Sequence, residues 1–311
     1  MYDVIVIGGA SAGLTAALYT SRRALKTLVL TKDVGGQAAL ATEIENYPGF
    51  DSIPGPELLL KFKAQAEKSG AEIKIAEVTK IEKKETGFSV ISSVGEFAAK
   101  SLILAFGLSH RRLNIPGEKE LTGRGVTYCA TCDGPLFRNK TVGVVGGGNS
   151  AFDAAEYLSE ICPKVYLFVR TDEYRAEQVL ISKVKSKSNI EIINFTEIKE
   201  LVGEKKLERA KILNVKTKEE RDIELNGLFI EIGYVPQTDL VKDLVQLDPK
   251  GQILIDRDAK TDVPGIFACG DVTDASYKQI VISAGEGAKA ALSANRYLKN
   301  LTGQQDIPDW K

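Results

Sequence analysis

Histidine, methionine and tryptophan occur once each in the 311 residues, and cysteine occurs four times. Four cysteines do not make a disulfide scaffold in a chain of this length, so the expected compartment is a reducing cytoplasm. A structural zinc site takes about four ligands. Cys162, Cys269 and His110 are each isolated in the sequence and offer no cluster for one. Charge of one sign is also missing. The 41 basic and 42 acidic residues leave a formal net charge of -1, without the basic excess that binding to nucleic-acid phosphates needs. No apolar run is long enough to span a membrane. The opening MYDVIVIGGASAGLTAAL is apolar but has no basic leader region and carries Asp3. It reads as strand, turn and helix rather than as a signal peptide. Low-complexity linkers and short-period repeats are absent.

What remains, 43% hydrophobic and 27% charged residues, is the composition of a folded globular protein. The length exceeds what one core usually needs, which predicts two domains. Two segments repeat one design. Residues 3–7 form a short β-branched run followed by Gly8, Gly9, Ala10 and an Ala-rich helical stretch over 12–22. Residues 141–145 form another, followed by Gly146, Gly147, Gly148 and a helical stretch over 150–158. A strand, a glycine turn and a helix with small residues on one face open a dinucleotide-binding βαβ unit. Helices are also expected over 54–69, 177–186 and 280–298. Strands are expected over 71–76, 80–84, 88–92, 101–105, 165–169, 223–233 and 265–269. Hinges are expected near Pro116 and at 234–236.

The two fingerprints differ. In the first, Gly8, Ala10 and Gly13 put alanine where a glycine lets the backbone approach a pyrophosphate. The acid expected about 20 positions later is replaced by LVLTK at 28–32. In the second, Gly146, Gly148 and Ala151 fit the pattern fully. The following strand ends at Arg170, with Arg175 nearby. Basic residues there suit the 2′-phosphate of NADP, whereas an acid suits NAD; a solvated charged face is the alternative reading. Between the turns, 126–137 reads VTYCATCDGPLF. Cys129 and Cys132 can close a small disulfide ring at a helix start, where a thiolate is favoured. Half a zinc site or two buried thiols are the other readings. Asp133 is read either as a general acid for the leaving thiolate or as a turn residue before Gly134 and Pro135. Cys162 and Cys269 read as buried small apolar residues, His110 as solvent-facing in a charged loop, and Trp310 as a surface-packing residue.

CATCD at 129–133, set between two nucleotide turns, resembles the low-molecular-weight thioredoxin reductases of bacteria and archaea, over nearly the whole chain. Gly35-Gly36-Gln37, Glu45-Asn46-Tyr47-Pro48-Gly49, GIFACGD at 265–271, and Lys278-Gln279 followed by Ser283-Ala284-Gly285 resemble further segments of that family. The resemblance implies an α/β fold with two Rossmann-like dinucleotide-binding domains. An FAD domain would be built from residues 1–114 and 245–311, and an NAD(P)H domain with the cysteines, 115–244, inserted between them. It implies FAD contacts from Gly8, Ala10, Ser11, Gly13, Gly36, Gln37, Asn46, Ala105, Gly107, Gly270, Asp271, Lys278, Gln279 and Ile280. It implies NADP contacts from Gly146, Gly148, Asn149, Ser150, Ala151, Arg170 and Arg175. Electrons would pass from NADPH through FAD to the Cys129–Cys132 disulfide and on to a thioredoxin-like protein. Cys132 would face the flavin, Cys129 would attack the partner, and Asp133 would be the acid. The insert would rotate between two orientations, and the enzyme would be a homodimer.

The chain also departs from the family. The usual HRRxxxR reads Val169-Arg170-Thr171-Asp172-Glu173-Tyr174-Arg175, which weakens the preference for NADPH and admits NADH. Ala10 replaces a glycine, Ala105-Phe106-Gly107 stands for the family's ATG, and Lys278 stands for an arginine. A glutaredoxin-like or peroxide-reducing partner is the alternative to thioredoxin.

Overall fold

A computed structural model describes residues 1–41, 44 and 46–303, with Leu40 and Cys132 defined by their backbone alone. Glu45 and Trp310 lie outside the described residues. In chain order the elements are β1 (Tyr2–Ile7), α1 (Ser11–Arg22), β2 (Thr27–Thr31), α2 (Gly55–Lys68), β3 (Glu72–Ile75), β4 (Val78–Lys84), β5 (Gly87–Ser92), β6 (Gly95–Leu104) and β7 (Leu108–His110). Next come α3 (Glu118–Leu121), β8 (Val126–Thr127), α4 (Ala130–Asp133), β9 (Thr141–Val145), α5 (Asn149–Ser159), β10 (Lys164–Phe168), α6 (Gln178–Ser186) and β11 (Ile190–Ile193). The chain closes with β12 (Thr196–Val202), β13 (Arg209–Asn214), β14 (Glu220–Glu224), β15 (Gly227–Ile230), β16 (Tyr234–Pro236), β17 (Ile266–Ala268) and α7 (Ile280–Leu301).

These elements form two units, one from Met1–Ser109 with Val235–Lys311 and the other from His110–Tyr234. The first unit holds a seven-stranded sheet in the order β3-β2-β1-β6-β5-β4, with β17 also paired to β6. Strands β1, β2, β3 and β17 run parallel to their neighbours, and β4 and β5 antiparallel. The long β6 makes this possible. Its first half pairs with β5, and its buried second half, ending at Leu104, is shared between β1 and β17. Val4–Ile7 and all of β2 are buried, as a parallel strand covered on both faces requires. Helices α1 and α7 cover one face with small residues: Ala12, Ala16 and Ala17 meet Ala290, Ala291 and Ala294 in one cluster. The approach is so close that a Cβ on Gly287 would lie 2.1 Å from the Ala12 carbonyl oxygen.

The second unit holds an all-parallel sheet in the order β11-β10-β9-β15-β8 and a separate antiparallel sheet, β12-β13-β14. Its core includes Phe152, Phe168 and Phe229, all fully buried, each contributing ~1.5–3 kcal/mol of apolar burial.

Three expectations need correction. The first crossing between units falls before His110, not near Pro116, because Leu113 and Ile115 pack into the second unit's core and Glu118 accepts the Leu113 and Asn114 N–H groups. Residues 235–244 belong with the first unit, since Val241 and Leu244 pack beneath its sheet. The single strand read over 223–233 is two, β14 and β15, in different sheets. Asn226 makes the switch: its side-chain carbonyl accepts the Thr141 N–H at 3.1 Å, and its own N–H donates to the Thr141 carbonyl at 2.8 Å.

Candidate active site

In the first unit the turn after β1 has no room for side chains. Gly8 holds φ +118°, and a Cβ there would sit 2.2 Å from the Ala105 carbonyl oxygen. A Cβ on Gly13 would sit 1.9 Å from the Gly8 carbonyl oxygen. Ala10 does not need to be glycine: its φ of -99° and ψ of -167° are ordinary extended backbone. Its methyl faces Gly36, where an added Cβ would come within 3.3 Å. The Gly35 N–H donates to the Gly9 carbonyl at 2.8 Å, which draws the Gly35-Gly36-Gln37 segment onto the turn. Asp33, just beyond the LVLTK run, is spent on that segment, accepting the Gly36 N–H at 3.0 Å.

The ends of β6, β17 and α7 converge on the same turn. A Cβ on Gly270 would meet Ala12 at 2.8 Å. The Gly270 N–H donates to the Glu286 carboxylate at 2.7 Å, and the Ser283 hydroxyl donates to Asp271 at 3.0 Å. Asn46 donates its amide to Gln279 at 3.1 Å. Lys278 donates to the Thr273 carbonyl at 2.6 Å. Burial holds the Lys278 ammonium below its usual range and pushes the Glu286 carboxyl up. Ser283 belongs to the Ser283-Ala284-Gly285 segment singled out in the sequence, whereas Glu286 carried no local signal; only the fold of α7 against the Gly270-Asp271 turn shows its part.

In the second unit Gly146 holds φ +150°, with a phantom Cβ 2.2 Å from the Glu231 carbonyl oxygen and 2.7 Å from the Ala151 Cβ. Nothing lies within 4 Å of a Cβ built on Gly148. The loop after β10 folds back on this turn: Arg175 N–H donates to the Gly147 carbonyl at 2.7 Å, and Glu177 N–H to the Asn149 side chain at 2.8 Å. Arg170 points elsewhere. Its Nε lies 3.1 Å from Glu197 on β12, with the side chain 78% exposed.

Both glycine turns suit a dinucleotide. Neither the Ala10 cap of α1 nor the Gly148 cap of α5 supplies a side-chain acceptor, and neither helix has an acid in its first turn. Their leading N–H groups are left for an anion at the positive helix end. The start of α7 has the same character: the Gln279 side chain makes no capping bond to the helix's leading N–H groups.

The cysteine loop leaves β8 in the same sheet as the second turn. The predicted helix start is a single turn, α4, followed by a 3-10 turn over Gly134–Phe137. Gly134 cannot carry a Cβ, which would sit 2.6 Å from the Tyr157 ring. Cys129 is disulfide-bonded, and its sulfur lies 3.4 Å from the Thr131 hydroxyl; the Cys132 side chain lies outside what is described. Thr127 ties the loop together, donating its hydroxyl to the Asp133 carboxylate and accepting the Cys129 N–H at 3.3 Å. The next residue, Tyr128, donates to the buried Glu118 at 2.7 Å, and burial with that carboxylate pushes its hydroxyl up to about 12. His110 is not solvent-facing. It is half-buried between the rings of Tyr128 and Tyr234, with centroids 5.4 and 4.9 Å away. Burial lowers its pKa. Cys162 and Cys269 are free and buried, as read, and burial raises both thiols. Among the described residues no group of His, Cys, Asp and Glu could hold a metal ion, and no helix is long and apolar enough to cross a membrane.

Two glycine turns with open helix ends and a disulfide loop define a nucleotide-dependent disulfide oxidoreductase. Residues 2–287 match the model of the pyridine nucleotide-disulphide oxidoreductases. The thioredoxin reductase of Treponema pallidum is 42% identical over 302 residues, 96% of this chain and 98% of that protein. One subunit of the alkyl hydroperoxide reductase of Staphylococcus aureus is 40% identical over 299 residues, 96% of this chain but 59% of that protein. The crystal structure of Lactococcus lactis thioredoxin reductase in its FR conformation superposes with a TM-score of 0.84 at 40% identity, covering 96% of this chain and all of that one. The chain therefore belongs to the pyridine nucleotide-disulphide oxidoreductase family, and within it to the low-molecular-weight thioredoxin reductases.

Proposed function

We propose that this protein is a thioredoxin-disulfide reductase that takes electrons from NADPH and delivers them through FAD and the Cys129–Cys132 pair to a thioredoxin-like protein. The observation that carries the reading is a disulfide at Cys129 in the sheet that also bears the Gly146 turn. FAD belongs in the first unit, on Gly8, Ala10, Ser11, Gly13, Gly36, Gln37, Asn46, Ala105, Gly107, Gly270, Asp271, Lys278, Gln279 and Ile280. When bound, it supplies two-electron transfer between nicotinamide and disulfide. The uncapped start of α7 favours negative charge beside it. The nicotinamide nucleotide belongs in the second unit, on Gly146, Gly148, Asn149, Ser150, Ala151, Arg170 and Arg175.

The chain's own residues handle the sulfur chemistry. Opening the disulfide with two electrons leaves two sulfurs that share one added proton as thiol and thiolate. Asp133 carries that proton, oriented by the Thr127 hydroxyl. The Cys129 thiolate then attacks the partner's disulfide, forming a mixed disulfide, and Cys132 displaces the reduced partner. A homodimer working in the cytoplasm is part of this reading, as in the family the chain resembles. Two variants of it have support. The Arg170–Glu197 ion pair supports NADH as a second donor, since it engages a guanidinium that a 2′-phosphate needs and so reduces the advantage of NADPH. The likeness to the Staphylococcus aureus alkyl hydroperoxide reductase protein supports a peroxide-reducing partner.

Cys129→Ser and Cys132→Ser should each abolish reduction of thioredoxin while anaerobic bleaching of the flavin by NADPH survives. Loss of bleaching as well would refute this division of labour.

A further inference from the structure

Glu231 is an acid at the end of an apolar strand run, LFIEIG at 228–233, and the mechanism above does not use it. Three observations fix its place. Its N–H donates to the Val145 carbonyl at 2.8 Å, which sets it beside the Gly146 turn. On its other edge β15 pairs in parallel with β8, Leu228 with Val126 and Phe229 with Thr127. β8 ends at Thr127, two residues before Cys129, and β15 ends at Ile230, one residue before Glu231, so both residues leave the sheet at the same edge. The backbone N–H of Ala130, the residue that follows Cys129 and begins α4, acts on the Glu231 carboxyl and opposes the effect of burial.

We propose that Glu231 is a positioning residue of the disulfide loop, whose carboxyl group holds the Ala130 N–H and sets the charge that the Cys129 sulfur meets once the disulfide opens. The inference rests on the reading of Cys129 and Cys132 as the redox pair. An anionic neighbour disfavours a second negative charge, so ionised Glu231 opposes the Cys129 thiolate and protonated Glu231 does not. The Ala130 N–H, engaged by Glu231, is not free to stabilise that thiolate. Burial pushes the Glu231 carboxyl up to about 7, so the proton comes and goes near neutral pH. Few other charges meet this group. The turn at 146–148 carries none, and Arg175 reaches that turn through its backbone N–H. On the loop, Asp133 is engaged by Thr127 and the Tyr128 hydroxyl by Glu118. The two influences on the Glu231 carboxyl are its burial and the Ala130 N–H.

The test is alkylation of the holoenzyme, reduced with dithiothreitol and freed of it anaerobically. Iodoacetamide uptake at Cys129 is read by peptide mass spectrometry between pH 5.5 and 9. Wild-type protein should show two ionisations, one of them near pH 7. Glu231→Gln keeps an acceptor for Ala130 and removes the charge. Its profile should move to lower pH, with uptake about threefold or more faster just above neutrality and equal to wild type at pH 5.5. Glu231→Leu should show the same shift. A Glu231→Gln profile superimposed on wild type overturns the proposal, and so does a change confined to Glu231→Leu, which is what a purely structural role gives. Should Glu231→Gln not fold, a single ionisation in the wild-type curve overturns it. Replacing dithiothreitol by NADPH tests the redox pair separately: label reaching Cys129 only after dithiothreitol would refute that reading, whereas a Glu231→Gln profile superimposed on wild type overturns the role of Glu231 alone.

Discussion

Nucleotide choice turns on Glu197. Arg170 stands just past the end of β10, where a dinucleotide fold reads the adenosine ribose. Its Nε is 3.1 Å from Glu197, which also lies 3.7 Å from Lys199. With the arginine 78% exposed, this pair is worth no more than ~1 kcal/mol. A charge-assisted bond from Arg170 to a 2′-phosphate is worth ~1.5–3 kcal/mol. The phosphate therefore still wins the guanidinium, but at a discount, and Glu197 adds repulsion of its own. Glu197→Gln returns roughly 0.5–1 kcal/mol, about two- to fivefold in affinity, to ligands bearing the 2′-phosphate and nothing to those without it. Calorimetric titration with 2′,5′-ADP and with 5′-AMP reads the ratio directly, without turnover. The gain should shrink as salt rises, because the charges are exposed. Equal changes for both ligands, or no change for either, would refute the assignment of Glu197 as the residue that restrains NADPH binding.

Two further predictions follow from the packing. Gly13→Ala puts a methyl 1.9 Å from the Gly8 carbonyl oxygen. Overpacking of that kind costs ~1–3 kcal/mol, and the turn must shift, so the purified protein should lose its bound flavin; retention of full flavin content would contradict the role given to this turn. His110 titrates below its ordinary value because of burial. Its neutral form is favoured in the folded state, so the unfolded chain binds more protons just below pH 6.5. The stability it supports is present above that pH and is lost as pH falls toward the depressed folded value. Denaturant midpoints of wild type should fall between pH 7.5 and 5.5 more steeply than those of His110→Phe, and parallel slopes would refute the linkage.

Much of this was legible before the fold was known. The β-branched runs at β1 and β9 and the glycine turns after them are local signals, each read from one contiguous stretch, even though the backbone that a side chain at Gly8 or Gly146 would meet, at Ala105 and Glu231, is far along the chain. The pattern of α7 and the disulfide spacing are equally local. What escaped was set by partners distant in sequence. The end of β6 was read and its first half was not, because residues 95–98 are mostly exposed and belong to the antiparallel arm. His110 sits in a run of polar and basic residues, and only the fold brings Tyr128 and Tyr234 onto its ring. Arg170 read as a phosphate ligand because Glu197, on another sheet, gives no sign in the sequence of reaching it. Glu231 did leave a trace, a lone acid in an apolar strand, and that mismatch between pattern and residue is the kind that marks function.

The pairing of β15 explains why one acid can touch both halves of the second unit's chemistry. Parallel strands leave a sheet on one side, so β9 delivers the Gly146 turn, β8 delivers Cys129 and β15 delivers Glu231 to a common edge. Open α/β sheets bind their ligands at that carboxyl edge. The register cannot slip to accommodate a change there, because Val142, Val144, Leu228 and Phe229 are all completely buried and a one-residue shift exchanges the faces of a strand. The adjustable part is the single turn of α4, and side chains hold the loop from outside: Thr127 through Asp133 and Glu118 through Tyr128 just ahead of Cys129, with the Ala130 N–H acting on Glu231. None of these bonds involves a cysteine sulfur. Opening the disulfide therefore changes the charge at this edge while the bonds that fix its backbone stay in place, and the group whose own charge varies near neutral pH, Glu231, is the one placed to answer that change.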